Sequence, residues 1–118
     1  MYGNIDGHPL RVMLPKTLIF NLEGVEVLLT HIGGYPGKYA PGIIQQLRSN
    51  NTRLFISGHS HILKVMNDNT LKLLHINPGA AGIYGFHKVR TLIRFCIDNC
   101  RIYDLEVMEF ERGTLQEP

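Results

Sequence analysis

The chain has 118 residues, 44% of which are hydrophobic, and its 12 basic and 10 acidic side chains give a formal net charge of +2. This length fits one domain, residues 1–118, and this hydrophobic content excludes a disordered chain. The near balance of charge excludes a nucleic-acid-binding surface built on excess positive charge, and the sequence has no run of 18 apolar residues to span a membrane.

The hydrophobic pattern predicts mostly strands, one helix and loops that are rich in Gly and His. Apolar, β-branched runs on either side of short polar turns predict hairpins. Pro41 suits the first turn of a helix, and three apolar residues follow it at helical spacing. In chain order, we expect a strand end and glycine turn at 2–7, strands at 17–22 and 25–30, a glycine loop at 30–38, the helix at 41–48, strands at 53–57, 62–66 and 71–76, a Gly/Ala loop at 77–86, strands at 89–97 and 102–110, and a frayed polar end after Arg112.

Three of the predicted strands end abruptly at a His or Asn in a glycine-bearing loop. One strand leads into His31, another into the GHSH segment at residues 58–61, and a third into Asn77. Side chains at the carboxyl ends of neighbouring strands converge on one crevice of an α/β sheet. We therefore expect these distant segments to be able to assemble a metal site.

Histidine chemistry supports a metal site, but no single motif requires one. Neutral imidazole binds divalent Mn, Fe, Co, Ni and Zn, and two histidines in a tight loop can reach two adjacent ions. The pair His59 and His61 is also typical of surface histidines that bond to nearby carbonyls. Taken singly, His31, Asn4 and Asn77 are equally typical of ordinary loop residues.

Four motifs in a fixed order are more specific than any one of them. The sequence has GNID at residues 3–6, THIGG at 30–34, GHSH at 58–61 and NPGA at 77–80. In this order they resemble the calcineurin-like metallophosphoesterase superfamily. Within it, the chain is similar to the small prokaryotic phosphodiesterases related to the retromer subunit of the same fold, and the resemblance extends over about residues 1–107.

The resemblance implies an α/β fold, namely a partial four-layer α/β/β/α sandwich. It would be β-rich because the N-terminal β-α units of the family, which carry its D-x-H and G-D motifs, are absent from these 118 residues. We expect the chain to be a truncated reading frame, a wrongly assigned start or a cloned fragment. A truncated sheet exposes an edge and an apolar face, so we also expect a homo-oligomer or another partner to cover it.

The resemblance also implies a ligand set for two divalent metal ions. Asn4, His31 and His59 would bind one ion, and His61 would bind the other. Mn is the metal we expect, with Zn, Ni, Fe and Co as the other members of the same class. The family's bridging Asp is not among these residues, which would leave this chain inactive if nothing replaced it.

Catalytic and substrate-lining roles follow from the same resemblance. Asp6, His31 and His59 would belong to the catalytic machinery, with Asp6 orienting the ligands. Asn77 and His87 would line the substrate.

The implied function is hydrolysis of phosphodiesters, or of activated phosphate esters, by attack of a metal-bridging hydroxide. Ile5 stands where many members of the superfamily have a His, so general-acid catalysis, typically worth roughly 10²–10⁴-fold, is not expected from that position. The alternative is a non-catalytic interaction scaffold of the same fold, and a third reading is a small β-rich domain with incidental histidines. The substrate is not readable, and nucleic acid is expected only as a substrate.

Two features bear on the cellular setting. The first residues show no basic segment followed by an apolar stretch, so no secretory signal is predicted and we expect a cytoplasmic protein. Cys96 and Cys100 flank a predicted turn, where a disulfide would fit, but reduced thiols are what we expect of a cytoplasmic chain.

Overall fold

Strands predominate over helices in the structure, a computed structural model that describes residues 1–111. The elements, in chain order, are α1 (His8–Met13), β1 (Thr17–Leu22), β2 (Val25–Thr30), β3 (Gly34–Tyr35), β4 (Lys38–Tyr39), α2 (Ile43–Ser49), β5 (Leu54–Ile56), β6 (Leu63–Asp68), β7 (Leu73–Pro78), β8 (Val89–Asp98) and β9 (Arg101–Glu111). The predicted polar end after Arg112 lies outside the described residues. The mixed, strand-rich architecture confirms the predicted fold class.

Five of the strands form one sheet in the order β1-β2-β5-β7-β6. The three central strands, β2, β5 and β7, run parallel, while β1 and β6 pair antiparallel at the two edges. The carboxyl ends of the central strands therefore lie at the same edge of the sheet. The loops that begin with His31, Ser57 and Gly79 all leave from this edge.

The central strands are buried on both faces because each face has its own apolar layer. On one face, Leu28 and Phe55 pack with Ile43 and Leu47 of α2. On the other face, the apolar cluster that includes Leu54 packs against partly buried residues of the β8–β9 hairpin. Strands covered on both faces read as continuous hydrophobic runs, as the sequence of β5 does. Helix α2, the sheet and the β8–β9 hairpin thus form three layers, with the sheet in the middle.

Three of the sequence predictions need correction. The turn predicted within residues 2–7 is present, closed by hydrogen bonds between Gly3 and Asp6 in both directions, but the strand end predicted before it is not. Helix α1 was not predicted, because its six residues are too few to show a periodic apolar face. The predicted glycine loop at 30–38 contains the two-residue strand β3, which pairs with β4.

None of the helices in the described part of the chain is long and apolar enough to cross a membrane. Cys96 and Cys100 are exposed and carry free thiols.

Candidate metal centre

The edge where the central strands end is tied together by backbone hydrogen bonds. The Gly58 N–H donates to the His31 carbonyl at 2.9 Å, which fixes the loop after β5 against the loop after β2. The Ser57 N–H donates to the Ile76 carbonyl at 3.0 Å, which fixes the same loop against β7. The positions of the loops after β2 and β5 are therefore set by the sheet.

Asn4, His31 and His59 meet at this edge. His31 Nε2 lies 2.8 Å from Asn4 Oδ1, and His59 Nδ1 lies 3.2 Å from the same oxygen. The two imidazole rings approach edge to face with their centroids 5.2 Å apart. These three residues are referred to below as the donor triad. They come from segments 27 and 55 positions apart in the sequence, counted from Asn4.

The turn that carries Asn4 is held in place by its neighbours. The Gly3 N–H donates to the Asp6 carboxylate at 2.6 Å. Arg11 of α1 donates to the Asn4 carbonyl at 2.9 Å and to the Asp6 carbonyl at 2.8 Å, and its guanidinium lies 4.9 Å from the centre of the Tyr2 ring. Asp6 thus acts on the triad by shaping this turn. Arg11 was not singled out from the sequence, because α1 itself was not predicted.

The GHSH turn has an unusual backbone. The backbone of both histidines lies in the left-handed region, with φ of 70° at His59 and 62° at His61. This conformation is uncommon for residues other than glycine, and such strain tends to cluster at functional sites. Ser60 between them shares a hydrogen bond with the Tyr35 hydroxyl, a contact that the sequence did not indicate.

Asn77 braces the GHSH turn from beneath. Its side-chain amide donates to the Gly58 carbonyl at 3.1 Å and to Ser60 Oγ at 3.0 Å, and its carbonyl oxygen accepts from the Gly79 N–H at 3.0 Å. We predicted that Asn77 lines the substrate, but its side chain is only 1% exposed. The correction has a simple cause: Asn77 belongs to the end of β7, under the loop, and its polar atoms are all engaged there.

His61 and His87 form a second pair beside the triad. Their rings pack edge to face with centroids 5.3 Å apart, and the His87 Nε2–H donates to the Gly82 carbonyl at 2.7 Å. His61 lines an open groove of about 360 Å³ together with His31 and His59. His87, which we predicted to line the substrate, is not among the residues that line this groove and contacts His61 instead.

A second, larger cavity also reaches the triad. It measures about 400 Å³, touches Asn4 and His31, and is bordered by the basic side chains of Arg11 and Lys16. The triad therefore lies where two solvent-filled depressions meet, one of which carries positive charge.

The electrostatic environment of His31 favours its neutral imidazole form. Partial burial lowers the pKa of His31, and the proximity of His59 and His61 lowers it further, while the nearby Asp6 carboxylate raises it. A lowered pKa keeps the His31 ring neutral at pH 7, which is the form that binds a metal ion.

The spacing of the donor triad fits one divalent ion. Two donor atoms that each lie about 2.1 Å from a metal are about 3.0–3.4 Å apart in octahedral or tetrahedral geometry. The separation of 3.2 Å between His59 Nδ1 and Asn4 Oδ1 falls within this range, and that of 2.8 Å between His31 Nε2 and Asn4 Oδ1 is about 0.2 Å shorter than its lower end. Among residues 1–111, no three His, Cys, Asp or Glu side chains are grouped so as to hold a metal, so the Asn4 oxygen is needed to complete the set.

Comparison with known proteins gives a family match and several structural matches. The model of the calcineurin-like phosphoesterase superfamily domain matches residues 1–99. A comparison with curated proteins returned no match.

Three solved structures illustrate the similarity of fold. A single mutant of Vps29 from Entamoeba histolytica superposes with a TM-score of 0.63 at 18% identity, covering 92% of this chain and 67% of that one. Wild-type Vps29 from the same organism, complexed with Zn²⁺, gives 0.58 at 16% identity, covering 83% and 61%. An archaeal phosphodiesterase gives 0.56 at 17% identity, covering 80% and 51%. The chain thus spans about half to two thirds of the length of these relatives.

Proposed function

The chain belongs to the calcineurin-like phosphoesterase superfamily, and from that premise we propose that its donor triad binds a divalent metal ion at which phosphodiesters are hydrolysed. The observation that carries this proposal is the convergence of Asn4, His31 and His59 at coordination spacing. Three polar side chains from three separate loops share this point, and the Asn4 oxygen lies within hydrogen-bond distance of both imidazoles.

The residues of the triad suit the ions of the first transition row. Two imidazole nitrogens and one amide oxygen form a borderline donor set, which accepts Mn, Zn, Ni, Fe or Co. A metal ion held there would supply a Lewis acid that stabilises charge on the phosphoryl oxygens. Mn²⁺ is the ion we propose first, and His61 is the residue we propose to serve a second ion.

Residues around the triad hold its side chains in position. Asn77 and Ser60 fix the strained GHSH turn, so that His59 is already held in position before a ligand binds. Asp6 and Arg11 fix the turn of Asn4. Preorganised donors of this kind lower the cost of reaching a charged transition state.

A direct test is hydrolysis of bis(p-nitrophenyl) phosphate with added Mn²⁺. We expect His59→Ala to lower the rate by about 100-fold or more, because one of three donors is lost. His8→Ala is the matched control, since His8 is an exposed histidine outside the triad and the groove. Equal rates for the two variants, or a rate that does not depend on metal, would contradict the proposal.

A specific observation keeps the interaction scaffold as a second candidate. The donor triad contains no carboxylate, and two of the structural neighbours are forms of Vps29. A scaffold would bind Mn²⁺ at the triad without hydrolysing any phosphodiester. Measuring metal affinity and hydrolysis on the same sample separates the two functions.

A further inference from the structure

Two aromatic side chains project from the loop that walls the groove. Tyr84 is 83% exposed and Phe86 is 103% exposed, and Tyr84 lines the groove together with His31, His59 and His61. Single exposed apolar residues are ordinary, but two exposed aromatic rings within three positions, one of which lines a candidate site, are not. Residues 84–86 are called the aromatic tip below.

The loop on either side of the aromatic tip is fixed by hydrogen bonds. The Thr91 N–H donates to the Ala80 carbonyl at 2.8 Å, and the Arg90 Nε–H donates to the Ala81 carbonyl at 2.6 Å. His87 closes the loop on Gly82. With both ends held, the tip projects from a defined base.

The aromatic tip rests directly against the histidine pair. Gly85, between the two aromatic residues, has φ of +133°, and a Cβ built on it would lie 2.3 Å from His61 Nδ1 and 3.0 Å from His87 Nδ1. Only glycine allows this approach. Tyr84 and Phe86 therefore stand on either side of a residue that touches His61, which itself lines the groove.

We propose that the aromatic tip stacks on a nucleobase, so that the substrate is a phosphodiester of a nucleoside. This inference rests on the proposed function, because it takes the donor triad as the place of the phosphate. The groove of about 360 Å³ falls within the roughly 300–1,000 Å³ range of small-molecule sites.

Stacking, rather than charge, would supply the affinity for such a substrate. With a net charge of only +2, the chain has no strong general attraction for nucleotides. A base stacked on an aromatic side chain gains about 5-fold to 100-fold in affinity, and every base offers a flat face for it. The tip therefore selects for a base without selecting its identity.

The test compares two ligands that differ only in the base. Adenosine 5′-monophosphate and ribose 5-phosphate are titrated against the full chain by proton NMR, with and without Zn²⁺. We expect adenosine 5′-monophosphate to bind about 5-fold to 100-fold more tightly, with upfield shifts of its adenine protons from the ring current of the tip. Tyr84→Ala and Phe86→Ala are expected to remove this difference and leave the affinity for ribose 5-phosphate unchanged.

Controls separate this inference from the proposed function. Tyr103→Ala removes a partly exposed aromatic ring far along the chain, on β9, and is expected to leave the adenine shifts intact. His59→Ala is expected to keep the shifts of metal-free samples while losing hydrolysis. Equal affinity for the two ligands, or adenine shifts that survive both tip variants, would overturn the nucleobase assignment, even where hydrolysis is confirmed.

Discussion

Asn77 supports the turn that carries His59 and His61, although it faces neither ligand nor solvent. Replacing it with alanine would leave the Gly58 carbonyl and the Gly79 N–H without their buried partner. We expect Asn77→Ala to lower the free energy of unfolding by about 1–3 kcal/mol and to weaken metal binding by about 10–100-fold.

Urea denaturation and calorimetric titration with Mn²⁺ measure these two effects. The control is Asn69→Ala, which changes an exposed asparagine in the turn after β6. If the two variants bound the metal equally well, Asn77 would have no part in holding the site.

His75 makes the stability of the fold depend on pH. Its side chain is fully buried, and its Nδ1–H donates to the Phe55 carbonyl at 3.2 Å. Burial lowers the pKa of His75 from 6.5, and the bond to Phe55 raises it by less. The unfolded chain therefore takes up a proton near pH 6.5 while the folded chain stays neutral, so stability is present above pH 6.5 and is lost as the pH falls below it.

We expect His75→Gln to reduce this loss, since glutamine can still donate to Phe55 but does not ionise. Urea midpoints of the two proteins at about pH 7.5 and about pH 5.5 give the comparison. The lowered pKa of His31 is common to both proteins and cancels. Identical pH dependence in the two would show that His75 does not titrate on unfolding.

At the scale of elements, the junction between β2 and β3 requires a glycine. A Cβ on Gly33 would lie 2.4 Å from Phe55 Cζ and 2.7 Å from Ser57 Cβ, both buried in the sheet. We expect Gly33→Ala to cost about 1–3 kcal/mol, because the core has no room to yield. Gly82→Ala is the matched control. We expect it to change the free energy of unfolding by no more than about 0.5 kcal/mol, since nothing lies within 4 Å of a Cβ there.

Thermal and urea unfolding of the two alanine variants provide the measurement. A loss of stability for Gly33→Ala no larger than that for Gly82→Ala would mean that the loop can move away from Phe55.

The strands could be predicted where their pattern is long, and the short elements could not. The hairpin of Thr17–Leu22 and Val25–Thr30 has the predicted bounds, because two apolar runs flank a turn that only Glu23 and Gly24 form. Strand β6 extends two residues beyond its prediction, because Asp68 accepts from the backbone N–H groups of Thr70 and Leu71 and so moves the turn. Such side-chain contacts carry no periodic signal.

The candidate site could likewise be predicted only in part. The residue types at strand ends indicated which segments would meet, because parallel strands deliver their carboxyl ends to one edge. The left-handed backbone of His59 and His61 and the burial of Asn77 depend on contacts between loops distant in sequence. No local pattern of residues encodes them.

At the scale of the whole molecule, part of the apolar surface is uncovered. Edge strand β1 leaves Ile19 45% and Phe20 37% exposed on its two faces, and Phe110 of β9 is 44% exposed. Uncovered sheet edges and apolar faces favour association. We therefore predict that the chain forms oligomers or binds a partner through these strands.

Sedimentation equilibrium of the purified chain tests association with itself, and we expect a mass above 13.4 kDa that rises with concentration. Phe20→Lys is expected to lower the apparent mass, and Lys64→Glu, on the opposite edge strand, serves as a control. A stable monomer at every concentration, with no partner bound, would refute the prediction.

The family resemblance drawn from four short motifs is confirmed by the match over residues 1–99. The chemistry proposed for the metal centre depends on a more specific claim. An amide oxygen and two imidazoles from three loops must hold one ion.

Anomalous X-ray diffraction from crystals soaked in Mn²⁺ tests that claim most directly. We expect a strong anomalous peak at about 2.1–2.3 Å from Asn4 Oδ1, His31 Nε2 and His59 Nδ1, and the loss of that peak in His59→Ala crystals. A map without a peak at the triad, or with metal bound only away from the triad, would contradict the claim.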